Sequence, residues 1–174
     1  VAGRNVSARN IVIATGAEPA PLNFPGDDLA LTSDVFLDIA RLPRRIAFIG
    51  GGYIAFELAH IAVRAGAHVT IIHRGERPLE GFDADLVDRL CSFTRSLGVD
   101  IRVGAEVTAL ERAAGAVHVW VETNGPASRI EVDAVFHSAG RRPNLGDLRL
   151  DRGNVAFDRS GVVVNEWLQS TSNP

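Results

Sequence analysis

The segment RIAFIGGGYIAFELAH, Arg45 to His60, sets three consecutive glycines between an unbroken apolar run and a helical repeat. That arrangement leaves little choice of local structure. Arg45–Ile49 shows no polar alternation, as a strand covered on both faces requires. From Tyr53 onward, Ile54, Leu58, Ile61 and Ala65 recur at helical spacing, and Gly66 is positioned to end the helix. The run AHVTIIH then supplies a second buried strand. Strand, helix and strand within about 30 residues make a βαβ unit, whose crossover is right-handed and whose sheet is parallel.

The rest of the chain extends this core. Asp83 is a cap for a further helix, with Leu86, Leu90, Phe93 and Leu97 along its expected buried face and Gly98 at its end. VDIRVG reads as a third strand. Beyond it, VTALERA, AVHVWVE and RIEVDAVF read as the strands of an antiparallel meander, with Val117, Val119 and Val121 sharing one face. Upstream, ARNIVIATGAEP reads as a short buried strand, Ile11–Ala14, that turns at Gly16. A Pro-rich connector and a short helix from Thr32 and Ser33 follow. HSAGRRPN is turn-like, and the polar tail after it holds one apolar run, Val162–Val164. The expected fold class is α/β: a Rossmann-like, three-layer dinucleotide-binding domain with a parallel sheet and an antiparallel β-meander.

Composition narrows the function. A formal charge of -3 gives no support for a nucleic-acid or membrane surface. No apolar run reaches the ~18 residues of a membrane helix, and no signal sequence opens the chain. The one cysteine, Cys91, excludes an internal disulfide or paired-thiol centre within these residues and reads as a core residue, so the setting reads as cytoplasmic. All 18 basic residues are arginine, spread from Arg4 to Arg159 as GC-rich coding produces. The chain starts at Val1 and has no methionine, so it reads as a piece of a longer protein. The five histidines lack metal-ligand spacing, and no serine sits in a nucleophile elbow. No catalytic residue and no metal are expected. His60 and His118 read as surface residues.

The glycines have a specific chemistry available to them. Gly50, Gly51 and Gly52 with Ala55 satisfy G-x-G-x-x-A where a strand meets a helix. In such a turn the first glycine allows the sharp bend, the second admits a pyrophosphate, and the alanine lets helix and strand pack closely. The helix N-terminus adds free N–H donors and the positive end of its dipole. About 20 residues on, NAD-binding units carry an acid for the ribose hydroxyls; here the strand ends in His73, Arg74 and Arg77. A guanidinium grips a 2′-phosphate through charge-assisted hydrogen bonds worth roughly 1.5–3 kcal/mol. NADPH is therefore expected over NADH.

GGGYIAFELAH followed by HVTIIHRGERPLEGFD resembles the pyridine-nucleotide domain of the flavoprotein disulfide reductases, glutathione reductase and its close relatives in particular. IVIATGAEP resembles the segment that leaves their FAD domain, SAGRRPN the one that returns, and NEWLQSTSNP the strand and turn before a second FAD motif. The resemblance implies a junction over residues 1–16, an NAD(P)H domain over 17–144 and a return segment over 145–174. It implies that Tyr53 covers a flavin, that Ile54 and Glu57 line the nicotinamide end, and that Arg74 binds the 2′-phosphate. Gly140 and Arg141 would edge the cofactor site, and Ala14, Thr15 and Gly16 would form a flavin-contacting turn. Glu57 would lack its family partner, a lysine of the FAD domain.

The departures are Glu80, which stands where the family has a second phosphate-binding arginine, and Phe56, where smaller aliphatics are common. The parent implied is a homodimeric flavoenzyme passing hydride from NADPH to FAD and on to a disulfide, with FAD and dimerisation domains outside these residues. The piece alone would be catalytically silent. An NADH oxidase or ferredoxin-reductase-like enzyme shares the architecture, and a non-catalytic nucleotide sensor is a third reading. Because this domain is an insertion in the family's FAD domain, both chain ends are expected on one side.

Overall fold

The computed structural model describes residues 6–172. It divides into two compact units: one of residues 19–140, the other built from the chain before and after them. In chain order the elements are β1 (Ala17–Pro19), β2 (Ala30–Leu31), α1 (Ser33–Asp38), β3 (Arg45–Ile49), α2 (Tyr53–Arg64) and β4 (His68–Ile72). There follow α3 (Ala84–Ser96), β5 (Asp100–Arg102), β6 (Glu106–Ala113), β7 (Ala116–Glu122), β8 (Ser128–Val132) and β9 (Ala134–His137). Short strands β10 (Arg141–Pro143), β11 (Phe157–Asp158) and β12 (Gly161–Val162) complete the set.

The larger unit is the three-layer α/β fold. Its middle layer is a parallel sheet of order β2-β9-β3-β4-β5. Alternation along the strands splits their side chains between two cores. Phe48, Val69, Ile71 and Phe136 face the helices and meet Phe36, Ala55, Ala59, Ala62, Val87 and Cys91. Ala47, Ile49, Ile72 and Val135 face the other way, against Val107, Leu110, Val117, Val119 and Val121 of the antiparallel meander β6-β7-β8. The expected shared face of Val117, Val119 and Val121 is this buried one.

Helix ends follow their local chemistry. Asp83 Oδ1 accepts from the N–H groups of Asp85 and Leu86, and Gly66 and Gly98 take the left-handed φ that stops α2 and α3. The buried faces differ from expectation. On α2 the sheet is met by Ala55, Ala59 and Ala62, all 0% exposed, while Ile61 is 54% exposed. Alanines let the helix axis come close to the strands, and the bulkier Ile61 is turned outward. On α3 the buried stripe is Val87, Cys91 and Thr94, with Leu86 and Phe93 exposed. Cys91 is a core residue as expected, its thiol pushed up by burial.

His60 is not a plain surface residue: its Nε2 lies 2.8 Å from Oγ1 of the fully buried Thr94, tying α2 to α3. Burial first, then Arg64, holds its imidazole below the ordinary histidine range. His118 is likewise half-buried, 3.5 Å from Glu131.

RIEVDAVF is two strands rather than one. β8 closes the meander, and β9 returns to the parallel sheet beside β3. The break at Asp133 is held by Arg45, whose Nε and Nη2 donate to Asp133 Oδ1 at 3.0 and 2.6 Å and whose Nη1 donates to Glu131 at 2.7 Å. That guanidinium keeps both carboxyls below their usual range and is itself raised by them. Folded carboxylates with depressed pKa contribute stability above about pH 4 and lose it as pH falls through the folded values. Asp133→Asn is therefore expected to lower the melting temperature at pH 7, with the gap to the parent closing toward pH 2. A gap constant from pH 7 to pH 2 would show that the charge pair contributes nothing.

In the smaller unit, Gly16 has the turn conformation expected (φ 69), and the Asn144 N–H donates to its carbonyl at 3.0 Å. The two-stranded sheet β1-β10 joins the segments that flank the larger unit. Ile11–Ala14 is not the buried strand expected: Ile11 and Val12 are 82% and 87% exposed, and no strand pairs with them among the described residues. The apolar run fits a strand, but nothing described in this chain covers it. The chain termini themselves, 1–5 and 173–174, lie outside the described residues. No helix among the described residues is long and apolar enough to cross a membrane.

Candidate functional site

At the C-terminal edge of β3 and β4 the three glycines make a turn in which each has a different reason to be glycine. Gly50 has φ 104, and a Cβ there would lie 2.4 Å from the Ser138 carbonyl oxygen and 2.6 Å from Ala139 Cα. Neither backbone neighbour can rotate away. Its N–H donates to Ile72 O at 2.8 Å, while Ser138 N–H donates to Ile49 O at 2.7 Å, so the turn is fastened to both β4 and β9. A Cβ on Gly51 would meet Pro78 Cβ at 2.7 Å and the His73 ring at 2.9 Å. Its carbonyl accepts the Leu79 N–H at 2.8 Å, and Leu79 takes a left-handed φ of 55.

Gly52 is different. Its φ of -83 and ψ of 177 suit any residue, and a Cβ would find only Ser138 O, at an ordinary 3.6 Å. It is the N-cap of α2, and no side chain caps the helix. Asparagine, aspartate and serine lead at that position, with threonine and glycine close behind, so a serine would serve the helix at least as well. The fold itself has no use for a missing side chain here. The first N–H groups of α2 are those that a helix cannot satisfy internally.

The other expected residues of this unit are distributed around the turn. Tyr53, the first residue of α2, is 55% exposed. Ile54 packs half-buried against the helix-side core, and Ala55 is wholly buried there. Glu57 is exposed, and its carboxylate has no partner among the described residues. His73 follows β4, with Nε2 2.9 Å from the Arg77 carbonyl and 3.6 Å from Glu80 Oε1. Arg74 is exposed and has no partner among the described residues. Arg77 is held by Asp88 of α3 at 3.1 Å. Gly140 has φ 114 and accepts the Ala20 N–H at 3.1 Å. Thus the glycine turn and the His73–Leu79 loop are in contact through Gly51, while Ala14, Thr15, Gly16 and Arg141 belong to the smaller unit. There the Arg141 guanidinium donates to the Ala17 carbonyl, and Ala14 and Thr15 are exposed.

Two features had no signal in the sequence. Ser138 is 7% exposed, its carbonyl backs Gly50, and its hydroxyl has no hydrogen-bond partner among the described residues. Asp88, which restrains Arg77, sits on the next helix, and only the tertiary structure brings it there. No cluster of potential metal ligands occurs among the described residues.

The family model described as "Pyridine nucleotide-disulphide oxidoreductase" matches residues 1–174. A glutathione reductase of Burkholderia cepacia is 44% identical over the whole chain, which spans 38% of that protein. A mercuric reductase of Staphylococcus aureus is 33% identical over 99% of the chain and 32% of its own length. Among solved structures, the HOCl-induced flavoprotein disulfide reductase RclA of Escherichia coli superposes with a TM-score of 0.82 at 28% identity. That match covers 92% of this chain and 37% of RclA. The chain thus spans less than two-fifths of the length of these relatives.

Proposed function

The chain belongs to the pyridine nucleotide-disulphide oxidoreductase family, and from that premise we propose that it is the NADPH-binding domain of a longer flavoprotein disulfide reductase. In this reading residues 17–144 are the nucleotide domain, and 1–16 and 145–174 are the segments shared with an FAD domain. The observation that carries it is Gly52. A glycine that neither backbone geometry nor packing needs, at an uncapped helix N-terminus, is explained by a ligand whose phosphates lie against the backbone.

Bound NADPH would supply a hydride for a flavin of the longer protein. The chain's own residues bind and orient. Gly50 and Gly51 hold the turn rigid against β9 and the Pro78–Leu79 loop, and Gly52 with the first turn of α2 receives the pyrophosphate. Arg74, exposed and without a partner among the described residues, grips the 2′-phosphate. Tyr53 would shield the flavin face, Ile54 and Glu57 would line the nicotinamide end, and Gly140 would edge the site; Arg141 belongs to the smaller unit with the return segment. Ala14, Thr15 and Gly16 contact the flavin. The parent is a cytoplasmic homodimer, and this chain alone binds nucleotide without turnover.

Calorimetric titration at fixed salt tests the assignment. Arg74→Ala is expected to weaken NADPH about 10- to 100-fold while leaving NADH nearly unchanged. Equal losses for both nucleotides, or none for either, would remove Arg74 from the site.

A further inference from the structure

One hydrogen bond at the glycine turn is made from a strained backbone. Leu79 has φ 55, a left-handed conformation that a bulky side chain rarely adopts unless its surroundings hold it there. Its side chain is 9% exposed and belongs to the helix-side core. Its carbonyl accepts the N–H groups of Gly81 and Phe82 at 2.9 and 3.0 Å, which closes the turn after it. What this conformation delivers is a single donor, the Leu79 N–H, 2.8 Å from the Gly51 carbonyl. Peptide geometry carries the effect further. No peptide bond among the described residues is cis, and in a trans unit the C=O and N–H point in opposite directions. The Gly51 carbonyl and the Gly52 N–H belong to one such unit. With the carbonyl fixed toward Leu79, the Gly52 N–H is turned to the other side, where it has no acceptor among the described residues.

We infer that Leu79 is a positioning residue for the dinucleotide: its buried side chain holds a strained backbone whose N–H locks the Gly51–Gly52 peptide, with the Gly52 N–H aimed at the pyrophosphate. This inference rests on the nucleotide site proposed above and concerns the aim of one donor, not the choice between nucleotides. The peptide needs a lock because glycine stands on both sides of it, and glycine backbone takes either sign of φ readily. The other hydrogen bond at Gly52, from the Phe56 N–H to its carbonyl at 3.3 Å, lies in the next peptide unit and does not restrain this one. Released from Leu79, the unit can rotate and present the Gly51 carbonyl oxygen to the phosphates, an acceptor facing an anion where a donor is required.

The test uses two truncations that a core role and a positioning role rank in opposite orders. Leu79→Ala and Leu79→Gly both remove the buried side chain, but only glycine keeps a left-handed backbone without steric conflict. In calorimetric titration with NADPH, Leu79→Ala is expected to bind about tenfold more weakly than the unsubstituted chain. Leu79→Gly is expected to stay within roughly threefold of it, although it removes one carbon more. Amide exchange followed by NMR reads the lock itself: the residue 79 N–H is expected to be protected in the unsubstituted chain and in Leu79→Gly, and to exchange quickly in Leu79→Ala. Replacing Leu79 by its α-hydroxy acid deletes the N–H and keeps the side chain, and is expected to reproduce the loss of affinity whether or not Leu79→Ala folds well. Thermal melting identifies the variants that are folded at the titration temperature. A glycine variant that binds as weakly as the alanine one, or an α-hydroxy acid variant that binds like the unsubstituted chain, would reduce Leu79 to a core residue and leave the nucleotide site standing. Absence of NADPH binding by the unsubstituted chain would remove the site and this inference together.

Discussion

Gly50→Ala is expected to destabilise the protein by about 3–5 kcal/mol, whereas Gly52→Ser is expected to leave stability equal or slightly improved and to abolish dinucleotide binding. The two residues are two positions apart in one motif, and their roles separate cleanly. At Gly50 the backbone has φ 104 and the space for a Cβ is filled by Ser138 O and Ala139 Cα. A methyl group there strains φ and also drives two fixed segments apart. At Gly52 neither objection applies, and a serine hydroxyl would cap α2, a gain of about 0.3 kcal/mol over glycine. The same hydroxyl and its Cβ would fill the space against which a pyrophosphate must lie. Melting curves and an NADPH titration of both variants decide the matter. Equal destabilisation by the two would mean that Gly52 serves the fold, and the main support for a nucleotide site would be gone.

The second large effect is expected deep in the helix-side core. Phe136 is 0% exposed and packs its ring edge-on to Phe36 at 5.1 Å and stacked on Phe48 at 5.6 Å. Phe136→Ala opens a cavity between the sheet and the helices and should cost about 3–5 kcal/mol, roughly 10 °C in melting temperature for a chain of this size. The consequence extends to the site, because β9 leads directly to Ser138, the residue that backs Gly50. Nucleotide affinity should fall with stability, in contrast to Gly52→Ser, where the two part company. A Phe136→Ala variant that melts within 2 °C of the parent would show that the core collapses around the missing ring.

The βαβ unit was legible because its signals are local: an apolar run, glycines, a helical repeat with Gly66 after it, and a second apolar run. The Asp83 cap and the strands from β3 to β7 followed for the same reason. What could not be read was orientation. The α3 sequence carries two candidate stripes, Leu86–Leu90–Phe93–Leu97 and Val87–Cys91–Thr94, and the sheet beneath selects the smaller side chains. Large residues look more hydrophobic, but close helix-to-sheet packing favours small ones. The break at Asp133 depends on Arg45, far away in sequence, and Ile11–Ala14 reads as buried only if something covers it. Within the candidate site the glycines and Arg74 were visible as a motif. The tethering of Arg77 by Asp88, and of the turn by Ser138, was not, because each partner arrives from another element.

The position of β9 also fixes an order of events. This strand lies between β2 and β3, yet it follows them in the chain by way of α2, β4, α3, β5 and the whole meander. As the polypeptide emerges during synthesis, at about 5–20 residues per second, β3, α2, β4 and β5 can associate while the slot between β2 and β3 stays open. Only the late arrival of residues 134–138 fills that slot and sets a wall behind Gly50. Such long-range pairing is slow to form, and until it does, β2 and β3 present unpaired backbone edges to the solvent. The last native contact of this sheet and the completion of its glycine turn are then one step, so no nascent chain has a finished turn before its sheet has closed.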